Sequence, residues 1–157
     1  MQYEHIKIED QIPFYELFSD ATVTHMNGRK IGVKELFDNY LVNQYSFSVK
    51  KDGNFVGVCS LFNTSLTKAI RSVKAKELIY SISPDFWNQG IASSDVKEIC
   101  ERAFLEYDLD VLLSGCFKDK LVSARVLEKN GFRPIFSRNE DWYSRIRKET
   151  IYLKIGL

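Results

Sequence analysis

Residues 77–104 read ELIYSISPDFWNQGIASSDVKEICERAF, and they hold a strand, a break and a helix in that order. KELIYSIS has the composition of a strand, and Pro84 stops it. From Gly90 onward Ala92, Val96, Ile99, Cys100, Ala103, Phe104 and Tyr107 share one side of an amphipathic helix. Between the two lies FWNQG, an aromatic pair running into a single glycine. Bare N–H groups at a helix start, with the helix dipole behind them, favour an anion by up to about 2 kcal/mol. Gly90 lets the backbone come close to a ligand, and the small side chains of Ala92 and Ser93 keep the opening clear. The same residues also suit a tight turn with Ser93 or Ser94 capping the helix. Neither GxxxxGK[ST] nor GxGxxG occurs, so an anion here would be held mainly by backbone amides.

Working outward, VLLSGCF (111–117) reads as a short buried strand. KLVSARVLEKNGF (120–132) reads as a helix with Lys129 in its last turn and Gly131 placed to close it in a left-handed conformation. FRPIFSR and TIYLKIGL are the final strands, with the polar segment NEDWYSRIRKE between them. Toward the N-terminus, EHIKIED alternates with period two, and QIPFYELFSD places Pro13 near a helix start. VKELFDNYLV is a short amphipathic helix after the loop THMNGRKIG. YSFSVKKDGNFVGVCSLF is two strands joined at Asp52-Gly53, a strong hairpin signal. The order is strand, two helices, three strands, helix, strand, helix, two strands. It predicts a mixed α/β domain over 1–157, with a parallel pair in its late strand–helix–strand part.

Composition bounds the function. The 157 residues carry 22 basic and 21 acidic side chains for a net charge of +1, with no long single-sign block. Electrostatic capture of nucleic acid or of an anionic membrane is therefore not expected as the main role. The three cysteines, Cys59, Cys100 and Cys116, form no CxxC pair, which points to reduced thiols. No apolar run approaches the ~20 residues of a membrane span, and the first residues lack the pattern of a secretory signal. The expected location is the cytoplasm. His5 and His25 show no metal-ligand spacing, so no metal is expected. The basic run Lys68, Arg71, Lys74, Lys76 reads as a solvated hairpin edge.

Two segments together resemble the GNAT superfamily of N-acetyltransferases, most closely the branch of ribosomal-protein N-terminal and spermidine acetyltransferases. Glu77, Tyr80, Pro84, Trp87, Gly90 and Ala92 match one pattern of that branch. Ser123, Arg125, Val126, Leu127, Glu128, Lys129, Gly131 and Phe132 match the second, about thirty residues later. The likeness is clear from Glu77 to Phe132, while before it only the order of elements agrees. It implies a mixed, mostly antiparallel sheet with a splayed parallel strand pair and about four flanking helices. It also implies acetyl-CoA as co-substrate. Backbone around Ser81, Ile82 and Ser83 would pair with the pantetheine amides, and amides of Gln89, Gly90, Ile91, Ala92 and Ser93 would hold the pyrophosphate. Lys120 stands where the family has asparagine and would meet a CoA phosphate or simply be solvated. Leu127 stands where many members have a tyrosine that protonates the leaving thiolate; Ser123 is the resemblance's substitute donor and would also line the CoA thioester.

The reaction itself sets further requirements. A protonated alkyl amine, with a pKa near ~10.4, must lose a proton before it attacks a thioester. Glu77, the carboxylate of the central strand, is the candidate base, directly or through water; the alternative is an exposed charge beside a buried run. Tyr80 is a second candidate on the same strand, with ordinary strand packing as its alternative. A backbone N–H near Ile82 would serve the oxyanion. The resemblance also implies that the loops RNEDWYSRIRKE and THMNGRKIG shape the acceptor pocket, so Glu140, Trp142 and Tyr143, with Tyr80, are the candidate acceptor contacts; surface packing is the alternative for the first three. The expected partner is a small-molecule or peptide amine, and the expected assembly a monomer or homodimer. Two other classes remain open: a non-catalytic acyl-CoA-binding or protein-interaction module on the same fold, and a small nucleotide-binding domain.

Overall fold

The computed structural model describes residues 1–23, 31–70, 72–142 and 145–156; for 140–142 and 145–146 it describes the backbone. Strands β1 (Gln2–His5), β2 (Ser46–Lys51), β3 (Asn54–Phe62), β4 (Ala75–Ile82), β5 (Val111–Phe117), β6 (Arg133–Trp142) and β7 (Arg145–Ile155) form one sheet. Their order across it is β1-β2-β3-β4-β5-β7-β6, and every neighbouring pair is antiparallel except β4 with β5. The parallel pair is bridged by helix α4 (Ile91–Glu101), which runs on as a π-helical turn through Arg102–Glu106. The other helices are α1 (Gln11–Ser19), α2 (Val33–Val42), α3 (Ser65–Ala69) and α5 (Leu121–Lys129).

Each face of the sheet buries its own core. On one face Phe14, Phe18, Phe37 and Tyr40 of α1 and α2 pack with Val58 of β3. The Phe14 ring meets Phe37 edge-on at 5.1 Å and Phe18 at 4.7 Å, contacts that add about 0.5–1.5 kcal/mol each beyond burial. On the other face Val96, Ile99, Ala103 and Leu127 of α4, its π-helical turn and α5 pack with Leu78, Ile82, Leu112 and Cys116 of the sheet. The helices follow the period read from the sequence, with α2 and β5 ending at the expected residues. Among the described residues no helix is long and apolar enough to cross a membrane.

The β2–β3 turn places Asp52 at φ 51° and Gly53 at φ 81°, the paired left-handed residues of a tight hairpin. A Cβ at Gly53 would meet nothing within 4 Å, so the cost of Gly53→Ala is conformational alone. It should destabilise by about 1–2 kcal/mol in urea melts.

Three expectations need correction. The segment 139–149 is not a connection: Asn139 pairs with Lys148 and Trp142 with Arg145, so β6 and β7 extend through it. β5 ends opposite Glu149, so the rest of the ribbon overhangs the sheet with no core to alternate against. Its polarity hid the strands. The second correction is α3, whose five residues are too few to show a period; Thr64 donates its N–H to Thr67 Oγ1 at 2.8 Å and starts it locally. Third, the basic run is a solvated edge only in part: Lys68 and Lys74 are exposed on the connection between β3 and β4, and Lys76 is not. Lys68 lies in α3, Lys74 pairs with Asp108 at 2.8 Å, and Lys76 sits half-buried 4.6 Å over the Tyr45 ring. Arg71 lies outside the described residues.

Candidate active site

β4 and β5 pair only where Ala75–Glu77 face Val111–Leu113. Past that point they splay. At the crotch of the fork the Ser114 hydroxyl donates to the Leu78 carbonyl at 2.9 Å, closing the last backbone acceptor before the gap. The register with β3 decides which groups of β4 enter the gap. Ser83 N–H donates to Val56 C=O at 2.8 Å, and bonded pairs alternate along an antiparallel ladder. Ser81 and Ile79 therefore bond to β3, while Tyr80 and Ile82 turn their backbone groups toward the missing β5 partner.

The chain beyond β4 is tied back to the fork. Pro84–Phe86 makes one 3₁₀ turn, and the Trp87 indole N–H donates to the Ile82 carbonyl at 2.8 Å. Asn88 at φ 63° and Gly90 at φ 74° then reverse the chain into α4. Gly90 is the N-cap, and the first helical bond runs from Ser94 N–H to its carbonyl at 3.1 Å. The N–H groups of Ile91, Ala92 and Ser93 precede the first acceptor and are left without a helical partner. No side chain caps this end, so Ser93 and Ser94 do not serve as caps. A Cβ at Gly90 would meet nothing within 4 Å. Open space and a left-handed φ thus coincide where an anion would approach.

Fork and helix start belong to one cavity of about 1030 Å³. Its wall includes Glu77, Tyr80, Ser81, Ile82, Gly90, Ile91, Ala92, Ser93, Lys120 and Ser123 among the residues singled out from the sequence. Ser83 and Gln89 are not in that wall. Ser83 spends its N–H on Val56, and the Gln89 side chain accepts from Lys51 at 3.1 Å. Tyr143 and the side chains of Glu140 and Trp142 lie outside the described residues.

Strand alternation assigns the wall to two faces. Tyr80 and Ile82 point with Leu78 toward α4 and α5, and Ser123 of α5 lies on that side. Glu77, Ile79 and Ser81 point the other way, toward the α1–α2 face, where Val23 joins the wall. On that face lies a carboxylate the sequence reading passed over. Glu149 of β7 is held by Arg138 Nη2 at 2.9 Å, and its Oε2 lies 2.8 Å from where a Cβ of Gly115 would be. Gly115 therefore makes room for it. The one signal was a Ser-Gly step inside an otherwise apolar strand, which fits a close approach.

The electrostatics are set mainly by burial. Cys116 lines the cavity, and burial first, then Glu149 and Asp119, push its thiol up to about 11. Cys59 is fully buried and its thiol is also pushed up, again chiefly by burial. Neither thiol is a thiolate near neutrality. Tyr80 is raised by burial and by Cys116, with the Ser123 hydroxyl opposing. Ser123 faces the phenol, yet the pair falls short of hydrogen-bond geometry and the Tyr80 hydroxyl is buried without a partner. Lys120 opens α5 at the rim, and its ammonium has no ion-pair partner among the described residues. No group of three or more possible metal ligands occurs among them.

A family model described as Acetyltransferase (GNAT) domain matches residues 2–133. The chain belongs to the GNAT acetyltransferase family. The solved structures agree on the fold of this GNAT chain. Spermidine N-acetyltransferase from Vibrio cholerae, in complex with CoA and spermine, superposes at TM-score 0.82 with 12% identity over 99% of this chain and 95% of its own. Ribosomal-protein-alanine N-acetyltransferase from Brucella melitensis gives 0.81 with 17% identity over 99% of each chain. An acetyltransferase of Salmonella typhimurium described as putative, with its cofactor acetyl-CoA, gives 0.78 with 15% identity over 99% and 93%. No curated protein matches the sequence.

Proposed function

We propose that this GNAT chain transfers an acetyl group from acetyl-CoA to a primary amine by direct attack in a ternary complex. The observation that carries the reading is the continuity of the cavity. Backbone groups of Tyr80 and the N–H of Ile82, which no neighbouring strand pairs, lead directly to unpaired amides at the start of α4. CoA has the same order of needs: amides along the pantetheine arm want sheet-like partners, and the pyrophosphate wants a helix N-terminus. Lys120 at the rim supplies a cation for a phosphate. Ser123 lines the thioester end, and the Ile82 N–H suits the oxyanion. Glu77 takes the proton of the amine from the opposite face, where the Glu149 carboxylate is already paired with Arg138. High thiol pKa values at Cys116 and Cys59 argue against an acyl-cysteine intermediate and for direct attack.

Acetyl-CoA at 100 times its Kd should stabilise the protein by about 2.7 kcal/mol, read as a rise in Tm. Gly90→Trp, which fills the open space at the helix start, should abolish that rise. Gly90→Ala carries the same strained φ with little bulk, and should keep most of it. An unmoved melting curve at millimolar acetyl-CoA would defeat the proposal.

The second reading, a non-catalytic CoA-binding module, is favoured by one observation. Leu127, at the family's tyrosine position, is 0% exposed and belongs to the core. A thermal shift without thiol release across a broad panel of amines would establish that reading instead.

A further inference from the structure

The fork contains a proton donor on its strand side. Leu127 turns into the core, so α5 offers no phenol to the cavity. Tyr80 does, from β4. Its side chain lines the cavity beside Ser123 and Cys116, and its hydroxyl is buried with no hydrogen-bond partner. Buried hydroxyls are nearly always satisfied, so a lone one on the wall of a binding cleft is explained by a partner that arrives with the ligand. Tyr80 is also one of the two residues whose backbone faces the gap, which places its ring beside the path assigned to the pantetheine arm. Three residues separate it from Glu77, about 10 Å along the strand, and an odd spacing puts the two on opposite faces of the sheet.

We propose that Tyr80 is the general acid that protonates the departing thiolate of CoA. The inference rests on the acetyl-transfer reading above. The amine nitrogen bonds to the thioester carbonyl carbon. The C–S bond breaks with its electron pair going to sulfur, and the phenol proton moves to that sulfur. The phenolate is reprotonated by the proton the amine has lost, carried by Glu77 and water. The sum is amine plus thioester giving amide plus thiol. An ordinary phenol, near ~10, is the strongest hydroxyl acid a side chain offers, and although burial holds Tyr80 above that value it still lies nearer a thiol than any alkyl hydroxyl does. An alkyl hydroxyl is a far weaker acid, so Ser123 acts as a positioning residue that donates to the phenolate as it forms. Burial keeps the phenol neutral until then.

The test compares Tyr80→Phe with the wild type on two acetyl donors. With acetyl-CoA, kcat should fall about 10²–10⁴-fold, while KM for acetyl-CoA and the acetyl-CoA thermal shift stay put. With the acetyl thioester of an aryl thiol, which departs without a proton, variant and wild type should run at the same rate. Ser123→Ala should fall less than Tyr80→Phe with acetyl-CoA and show the same rescue. Because the substitution removes an unpaired hydroxyl, Tm should be unchanged or higher. A Tyr80→Phe enzyme within twofold of wild type on acetyl-CoA overturns the role, and so does an equal loss on both donors. A wild type that releases no thiol with any amine instead overturns acetyl transfer itself, and the role with it.

Discussion

Glu77→Gln should lower kcat by about 10²–10⁴-fold while the acetyl-CoA thermal shift is retained. The side chain is half-buried on β4, at the last residue before the strands part, and it faces the α1–α2 side of the cavity. An incoming amine on that side meets Glu77 before it meets the thioester. The amide of glutamine keeps the shape and removes the basic oxygen, so binding of the cofactor on the other face is untouched. Initial rates of thiol release, measured against amine concentration at several pH values, provide the check. Because an amine supplied as free base needs no base, the defect should shrink as pH approaches the amine's own pKa. A variant as fast as wild type at pH 7 would mean that the proton leaves to solvent without Glu77.

The second large effect concerns stability. Asp95 in α4 is 0% exposed, accepts from the Tyr3 hydroxyl at 2.7 Å through Oδ1, and leaves Oδ2 buried with no partner. Burial pushes its carboxyl up from 3.8 to about 7, with the Tyr3 hydrogen bond and the chain's amino terminus opposing. The groups around it are Tyr3 of β1, Cys59 of β3, and Glu98 and Arg102 further along the helical segment. A folded-state pKa above the unfolded one means that the folded protein holds the extra proton. The contribution of this group is thus full below about pH 4, declines as pH rises, and is gone above about pH 7. Across that window the change is on the order of 4 kcal/mol. Asp95→Asn has nothing to ionise and can still accept from Tyr3. Urea melts from pH 5 to 8 should show wild type losing stability where the variant does not, with the variant the more stable at pH 8. Parallel profiles would show that Asp95 is charged in the folded protein.

Much of this molecule can be read from its residues, and what escapes does so for physical reasons. Helices α2, α4 and α5 each bury one stripe against a broad sheet, so their period survives in the sequence. β5 is buried along most of its length and reads as an apolar run. The GNAT patterns stand out because glycine at 90 and at 131 is required by backbone conformation, at φ 74° and 85°. The site is less legible wherever it depends on register. That Tyr80 and Ile82 face the gap, and Ser81 and Ser83 do not, follows from a bond between Ser83 and Val56 27 residues apart. The Trp87 tie to Ile82 is closer in sequence but needs the loop's path to be known. Glu149 is brought to Gly115 by strand pairing alone. The overhanging β6–β7 ribbon lacks the alternation that a core would impose, so nothing in its composition marks it as strand.

The fork has one consequence for how such an enzyme can change. A gap between two strands is an opening through the sheet, with a separate door on each side. On the acetyl-transfer reading proposed above, the cofactor would enter by the α4–α5 door and the acceptor by the α1–α2 door, and the two would meet only at the width of one strand. Residues that choose the amine can therefore be exchanged without disturbing those that grip CoA. The apparent affinity for acetyl-CoA should stay nearly constant across variants whose acceptor preferences differ.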